Sequence, residues 1–294
     1  MHIHSYVDPS DFLDRAEPLL MENEVLNNLP LGIAYRLVQS IKHTAKDAHH
    51  EGPLPFMAIV SDEEQDVLVL LKTSAHLIVY ISDKVESVYL RSNAISVAID
   101  HILHQEVIHV PSIIAYHETA RLFADKWKEV TGKSYEIQMD QRIYACTKVQ
   151  EVKLSPGIFR AAELRDVPLL SQWIYDFATE ATEAISMKHA IDMAQRGTEQ
   201  SAIYLWDDGE PVSMAQQTRP TLHGAVINMV YTPFQHRNKG YAGSCVSTLT
   251  RNMLRGPYEF ASLYTDLSNP ISNHIYMKVG YEPRSDSVVL VFKS

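Results

Sequence analysis

Apolar residues recur at helical spacing through Phe12, Leu13, Ala16, Leu19 and Leu20, and again through Val25, Leu26, Leu29, Ile33, Ala34 and Leu37. This predicts two amphipathic helices, the first short or kinked at Pro18 and the second interrupted at Pro30. A loop is expected over 46–55, followed by three short apolar runs, 56–60, 67–71 and 77–81, which read as a strand meander. A helix over 93–104, a strand within 107–115, a helix over 117–130 closed by Gly132 and a strand over 135–147 follow.

After the turn-rich break Ser155-Pro156-Gly157 the pattern starts again. A short strand, 158–161, leads to a helix capped by Asp166 that carries Leu169, Leu170, Trp173, Ile174 and Phe177 on one face, then to a helix over 184–195 stopping at Gly197. Strands over 202–206 and 212–216 flank Asp207-Asp208-Gly209-Glu210, a hairpin signal because Asp-Gly accepts positive backbone dihedrals. A strand over 224–232, a helix to about 254, a strand over 260–266, a helix over 270–278 ending at Gly280 and a strand over 288–292 complete the chain. Strands, helix, strand, helix, strand therefore occur twice. The economical reading is a mixed α/β (α+β) fold in tandem, with domains 1–153 and 154–294.

Composition narrows the function. The 294 residues are 46% hydrophobic and 21% charged, as in folded globular proteins. A formal net charge of -10 argues against a nucleic-acid-binding surface, which needs clustered Lys and Arg. Cys146 and Cys245 have no metal-like spacing and imply no disulfide framework. His101, His104 and His109 lack a carboxylate or thiol at ligand spacing, so no metal is expected. The N-terminus does not read as a secretion signal and no apolar run is long enough to span a membrane, so a cytoplasmic location with no membrane partner is the expectation.

Against the acidic background, 232–256 contains no Asp or Glu but holds Arg237, Lys239, Arg251 and Arg255. The stretch Val-Tyr-Thr-Pro-Phe-Gln-His-Arg-Asn-Lys-Gly-Tyr-Ala, 230–242, joins a strand to a helix. Amides in the first turn of a helix lack intrahelical acceptors and sit at the positive end of the dipole, so this junction suits an anion, with Gly240 permitting close approach.

These residues resemble the GNAT superfamily of acyl-CoA-dependent N-acetyltransferases. Arg237-Asn238-Lys239-Gly240-Tyr241-Ala242 is similar to the family's pyrophosphate loop, Q/R-x-x-G-x-G/A. Asn269 through Gly280-Tyr281 resembles its second cofactor signature, an Asn before a helix that ends in Tyr, a basic residue and Gly-aromatic. The phrase Leu263-Tyr264-Thr265-Asp266-Leu267-Ser268-Asn269 looks like a two-domain bacterial branch.

The resemblance implies acetyl-CoA as acyl donor and a small-molecule or protein amine as acceptor. Met229, Val230, Tyr231 and Thr232 would line the pantetheine arm, and Arg237, Asn238, Lys239, Gly240, Tyr241, Ala242 and Gly243 the pyrophosphate. Asn269 and Asn273 would complete the cofactor site, and Tyr276 would protonate the departing thiolate. Glu180, Glu183 and Asp266 are candidate bases. A monomer or homodimer is expected. Alternatives are a silent CoA-binding regulator and an enzyme using a longer acyl-CoA. In the first half the corresponding junction is Ser82-Asp83-Lys84-Val85-Glu86-Ser87-Val88-Tyr89, with two acids and no glycine, and Phe123 and Ala124 stand near the tyrosine position. The first domain is therefore expected to be a degenerate copy that binds no CoA.

Overall fold

The computed structural model describes residues 1–44, 54–73, 76–105, 108–181 and 184–293. The expected loop at 46–55 lies almost wholly outside them. Among the described residues the chain forms two compact units: Met1–Ile143 with Asp266–Ser268 and Arg284–Ser294, and Tyr144–Thr265 with Asn269–Pro283.

The first unit opens with a strand that the sequence pattern does not announce, β1 (His2–Tyr6), because its polar residues hide the alternation. Helix α1 (Pro9–Leu20) begins with the Asp8 side chain accepting from the Ser10 amide and runs through Pro18 as one 12-residue helix. Helix α2 (Asn28–Thr44) starts three residues later than the apolar pattern, which leaves Pro30 in its first turn, where the missing N–H has no intrahelical partner to lose. The meander is β2 (Phe56–Ser61), β3 (Asp66–Lys72) and β4 (His76–Ile81). Helix α3 (Val88–His104) starts earlier than expected because Ser87 caps it. Then come β5 (Ser112–Tyr116), α4 (His117–Thr131), closed by Gly132 at φ 73°, and β6 (Tyr135–Cys146), whose last three residues count with the second unit.

In the second unit β7 (Ile158–Ala161) precedes α5 (Val167–Glu180). Asp166 does not cap α5 with its side chain. The carboxylate instead accepts from the Glu163 amide at 2.8 Å and pairs with Arg160 at 2.7 Å, closing a 3-10 turn at Leu164–Asp166. Arg160 holds this carboxyl below its usual range. Helix α6 (Met187–Glu199) runs past Gly197 rather than stopping there, since the bare glycine lets the helix lie on Ile203 and Gln216. The hairpin of β8 (Ile203–Asp207) and β9 (Pro211–Thr218) turns at Gly209, φ 84°. Then follow β10 (Gly224–Tyr231), α7 (Tyr241–Arg255), β11 (Phe260–Asp266), α8 (Pro270–Val279) and β12 (Glu282–Phe292).

Within each unit the strands are mixed and mostly antiparallel. In the first unit the order is β1-β2-β3-β4-β5-β12-β6, with β4 and β5 parallel. In the second it is β11-β10-β9-β8-β7, with β10 and β11 parallel. Two apolar layers sandwich the strands of each unit. In the second unit Ala225, Ile227, Ala261 and Leu263 face α7 and α8, while Ile203, Leu205 and Met214 face α5 and α6.

Candidate active site

The parallel pair at the centre of the second unit is short. Gly224, Ala225 and Val226 pair with Phe260, Ala261 and Ser262, although both strands continue beyond. Gly224 fits there because a side chain would overlap the Phe260 ring. Past Val226, β10 stays with β9 through Ile227↔Gln217 and Asn228↔Gln216, then bulges before Tyr231↔Met214. Met229 sits in the bulge at φ 48°, a left-handed conformation unusual for a long side chain. The result is a fork whose β10 arm, from Ile227 onward, is not paired to β11. Met229, Val230 and Thr232, expected to line a cofactor arm, lie on this arm, and Tyr231 is buried beneath it.

The chain leaves the fork through Pro233 and a 3-10 turn at Phe234–His236, and enters α7 by two left-handed residues, Asn238 at φ 63° and Gly240 at φ 82°. Asn238, Lys239 and Gly240 are exposed, while Ala242 and Gly243 are half-buried in the first turn. No side chain caps α7, so its opening amides stay available to a ligand. The turn is braced from behind. Ser155 Oγ donates to the Lys239 carbonyl at 2.8 Å, the Ser155 amide donates to Ser244 Oγ at 2.9 Å, and Ser244 Oγ donates to the Gly240 carbonyl at 3.0 Å. Tyr241 fixes the first residue of the helix by donating to Asp208 in the hairpin turn at 2.5 Å. Ser155 is a site residue that sequence reasoning took only for a domain break, since nothing local marks its role.

Arg237 is turned away from the helix amides. Its Nε donates to the Thr232 carbonyl at 2.9 Å, and one terminal nitrogen reaches both Glu180 oxygens at 2.8 and 2.6 Å. The guanidinium lies 5.8 Å from the Tyr231 ring and 6.0 Å from that of Phe234. Tyr231 Oη donates to Glu180 at 3.2 Å; burial first, and the Glu180 charge second, push this phenol up to about 12. The structure thus brings Glu180, Tyr231 and Arg237 together. Glu183 lies outside the described residues. Asp266, at the end of β11, accepts from the Ser268 amide at 2.7 Å and counts with the first unit.

On α8, Asn269 caps the helix by accepting from the Ser272 amide at 3.1 Å. Asn273 is buried and pinned, accepting from Tyr144 Oη at 2.9 Å and donating to the Asn269 carbonyl at 2.7 Å. Tyr276 is 8% exposed and packs edge-on against Tyr281, with ring centres 6.1 Å apart. Tyr281 Oη makes a buried hydrogen bond with Thr250 at 2.8 Å, whereas the Tyr276 hydroxyl has no hydrogen-bond partner among the described residues. Burial raises the Tyr276 pKa above the ordinary tyrosine value. It is a protonated hydroxyl not committed to the core.

Among the described residues no group of three or more His, Cys, Asp or Glu could hold a metal ion, and no helix is long and apolar enough to cross a membrane. His101 contacts Ser5 at 2.9 Å and stacks on Phe56. Cys146 and Cys245 are buried free thiols.

Comparison with known proteins adds a partial family match and a likeness of fold. Residues 208–290 match the model of the FR47-like protein family. No curated protein matches the chain. Among solved structures, a GNAT-family acetyltransferase from Colwellia psychrerythraea is similar with a TM-score of 0.62 at 9% identity, covering 100% of both chains. A GCN5-related N-acetyltransferase from Sphaerobacter thermophilus gives 0.60 at 14%, covering 99% of this chain and 95% of that one. A tandem GNAT protein from the clavulanic acid biosynthesis pathway gives 0.52 at 10%, covering 99% and 98%. The chain thus has the fold of these GNAT-related acetyltransferases, and its residues 208–290 are similar to the FR47-like family.

Proposed function

We propose that the second unit is an acetyl-CoA-dependent N-acetyltransferase acting on a primary amine. The observation that carries this reading is the fork between β10 and β11, which opens beside an uncapped, glycine-entered helix. Unpaired backbone on β10 suits the amide-rich pantetheine arm, because a strand edge offers alternating donors and acceptors. The amides of 238–243 suit the pyrophosphate. The bulge at Met229 re-aims the Val230 amide, which in this reading polarises the thioester carbonyl. The amine nitrogen attacks the carbonyl carbon and the carbon–sulfur bond breaks. The leaving thiolate takes the Tyr276 proton, and solvent, which receives the surplus amine proton, returns one to Tyr276. Glu180, tied on both oxygens to Arg237, serves as an orienting carboxylate rather than a base.

The first unit supports a scaffold role. Its β4–β5 pair also forks after three residues, His76–Ile78 against Ser112–Ile114. The junction beyond is filled, however: Val85 is 3% exposed in the core, Ser82 Oγ donates to Glu22 at 2.8 Å, and Ser87 already caps α3. Burial and the neighbouring Glu22 raise the Asp83 pKa, the mark of a place hostile to further negative charge.

Calorimetric titration with acetyl-CoA tests the reading. One site per chain is expected, together with amine-dependent thiol release. Absence of binding refutes the reading, and two equivalent sites refute the scaffold role of the first unit.

A further inference from the structure

On the face of the second unit's sheet turned toward α5 and α6, opposite the α7 face, the apolar layer is interrupted by neutral polar groups. Asn228 stands on β10 opposite Gln216 of β9, and Ser262 on β11 forms the last pair of the fork with Val226. Ala225, Ile227, Ala261 and Leu263 belong to the α7 layer, and strand alternation therefore turns Val226, Asn228 and Ser262 to the other side. The end of α6 reaches the same place: a Cβ on Gly197 would lie 3.3 Å from Gln216 Nε2, and Thr198 is the next residue. Asn228 Oδ1, Ser262 Oγ and Thr198 Oγ1 are each buried with no hydrogen-bond partner among the described residues. Ser262 is fully buried and Thr198 is 7% exposed. A single orphan is a local cost, but two at the crotch of one fork, with a third on the helix end that packs by Gln216, are unmet hydrogen-bonding capacity that a bound polar group would satisfy.

We propose that Thr198, Asn228 and Ser262 form the recognition subsite for the acceptor, and that it takes a primary amine bearing a neutral hydroxyl close to its nitrogen. The proposal rests on the acetyltransferase reading. The chemistry selects the class. Asn228 Oδ1 only accepts, so the ligand must bring an O–H or N–H. The two hydroxyls donate as well as accept, so the ligand must also bring lone pairs. A hydroxyl supplies both, whereas a second ammonium brings three donors, no acceptor, and meets no carboxylate among these three residues. Aliphatic amines leave all three atoms unpaired, which is the situation in which a polar site discriminates most strongly.

Three probe amines of matched size test this at saturating acetyl-CoA by thiol release: ethanolamine, n-propylamine and ethylenediamine. Ethanolamine is expected to exceed propylamine in kcat/KM by about tenfold or more. Asn228→Leu is expected to bring the ratio toward one without changing the acetyl-CoA Kd. The smaller change Ser262→Ala is expected to reduce the ratio with little effect on Tm, which guards against a folding defect in the first variant. Equal rates for the three amines, a preference for the diamine, or a ratio unmoved by both variants overturns the proposal. Acetyl-CoA binding with no turnover of any probe also overturns it and leaves the cofactor site standing. Failure to bind acetyl-CoA overturns the broader reading with it.

Discussion

At the scale of single residues, Tyr276 and Tyr281, five positions apart, occupy two different hydrogen-bonding environments. Both are buried aromatics in the same cluster, and either could have been core. Tyr281 is committed to Thr250, while the Tyr276 hydroxyl has no partner among the described residues, the condition a proton donor needs. Tyr276→Phe keeps the ring and its contact with Tyr281, so folding and acetyl-CoA affinity should stay near wild type while kcat falls about 100-fold or more. Burial raises the Tyr276 pKa above 10.0, and a raised phenol stays protonated to higher pH. The wild-type kcat profile should therefore show no alkaline loss from this group at or below pH 10. A loss near pH 9 that vanishes in Tyr276→Phe contradicts this assignment. The role proposed for Tyr276 comes from its place in the Asn-to-Gly-Tyr signature. Its contrast with Tyr281 was not legible in sequence, because a hydrogen bond between residues 250 and 281 leaves no local pattern.

At the scale of elements, the junction between β10 and α7 is built from a bulge, two left-handed residues and an uncapped helix start. The glycine and the strand–helix order were readable in sequence, since both are local. The side chain of Arg237 was not: it pairs with Glu180, 57 residues away, rather than joining the helix amides. Asp166 departs for a similar reason, its carboxylate being claimed by Arg160 from the preceding strand. Gly240 is the residue on which the junction depends. At φ 82° a Cβ is disfavoured by about 1–2 kcal/mol, and here it would also lie 2.8 Å from Ser155 Oγ. Gly240→Ala should thus lower the stability of the unit by about 1 kcal/mol. It should raise the acetyl-CoA Kd several-fold with smaller change in the acceptor KM, separable by calorimetry and steady-state kinetics. An unchanged Kd would show that the cofactor does not press on this turn.

At the scale of the whole molecule, the repeated element order made the tandem architecture legible, and each unit does contain a meander followed by a parallel fork. The partner of the last strand was not legible, because alternation identifies a strand without saying which neighbour it joins. Residues 287–291 of β12 pair antiparallel with Ser112–Tyr116 of β5, so the end of the chain completes the sheet of the first unit. Val288, Leu290 and Phe292 enter that unit's core, where Phe292 stacks on Trp127 at 5.2 Å and leans on Phe123 at 6.5 Å. The first 143 residues accordingly lack a strand of their own sheet, and removing the final eleven residues exposes β5 as an unpaired, apolar edge that invites aggregation. Phe292→Ala isolates the packing part of this effect. Deleting a ring that is 8% exposed should cost about 3–5 kcal/mol and loosen the environment of Trp127. Denaturant unfolding followed by tryptophan emission should show the loss, while Trp173 and Trp206 report on the second unit. If the strand is a dispensable tail, the variant will unfold at the wild-type midpoint. If it is part of the first unit's core, the Trp127 signal will be lost at lower denaturant.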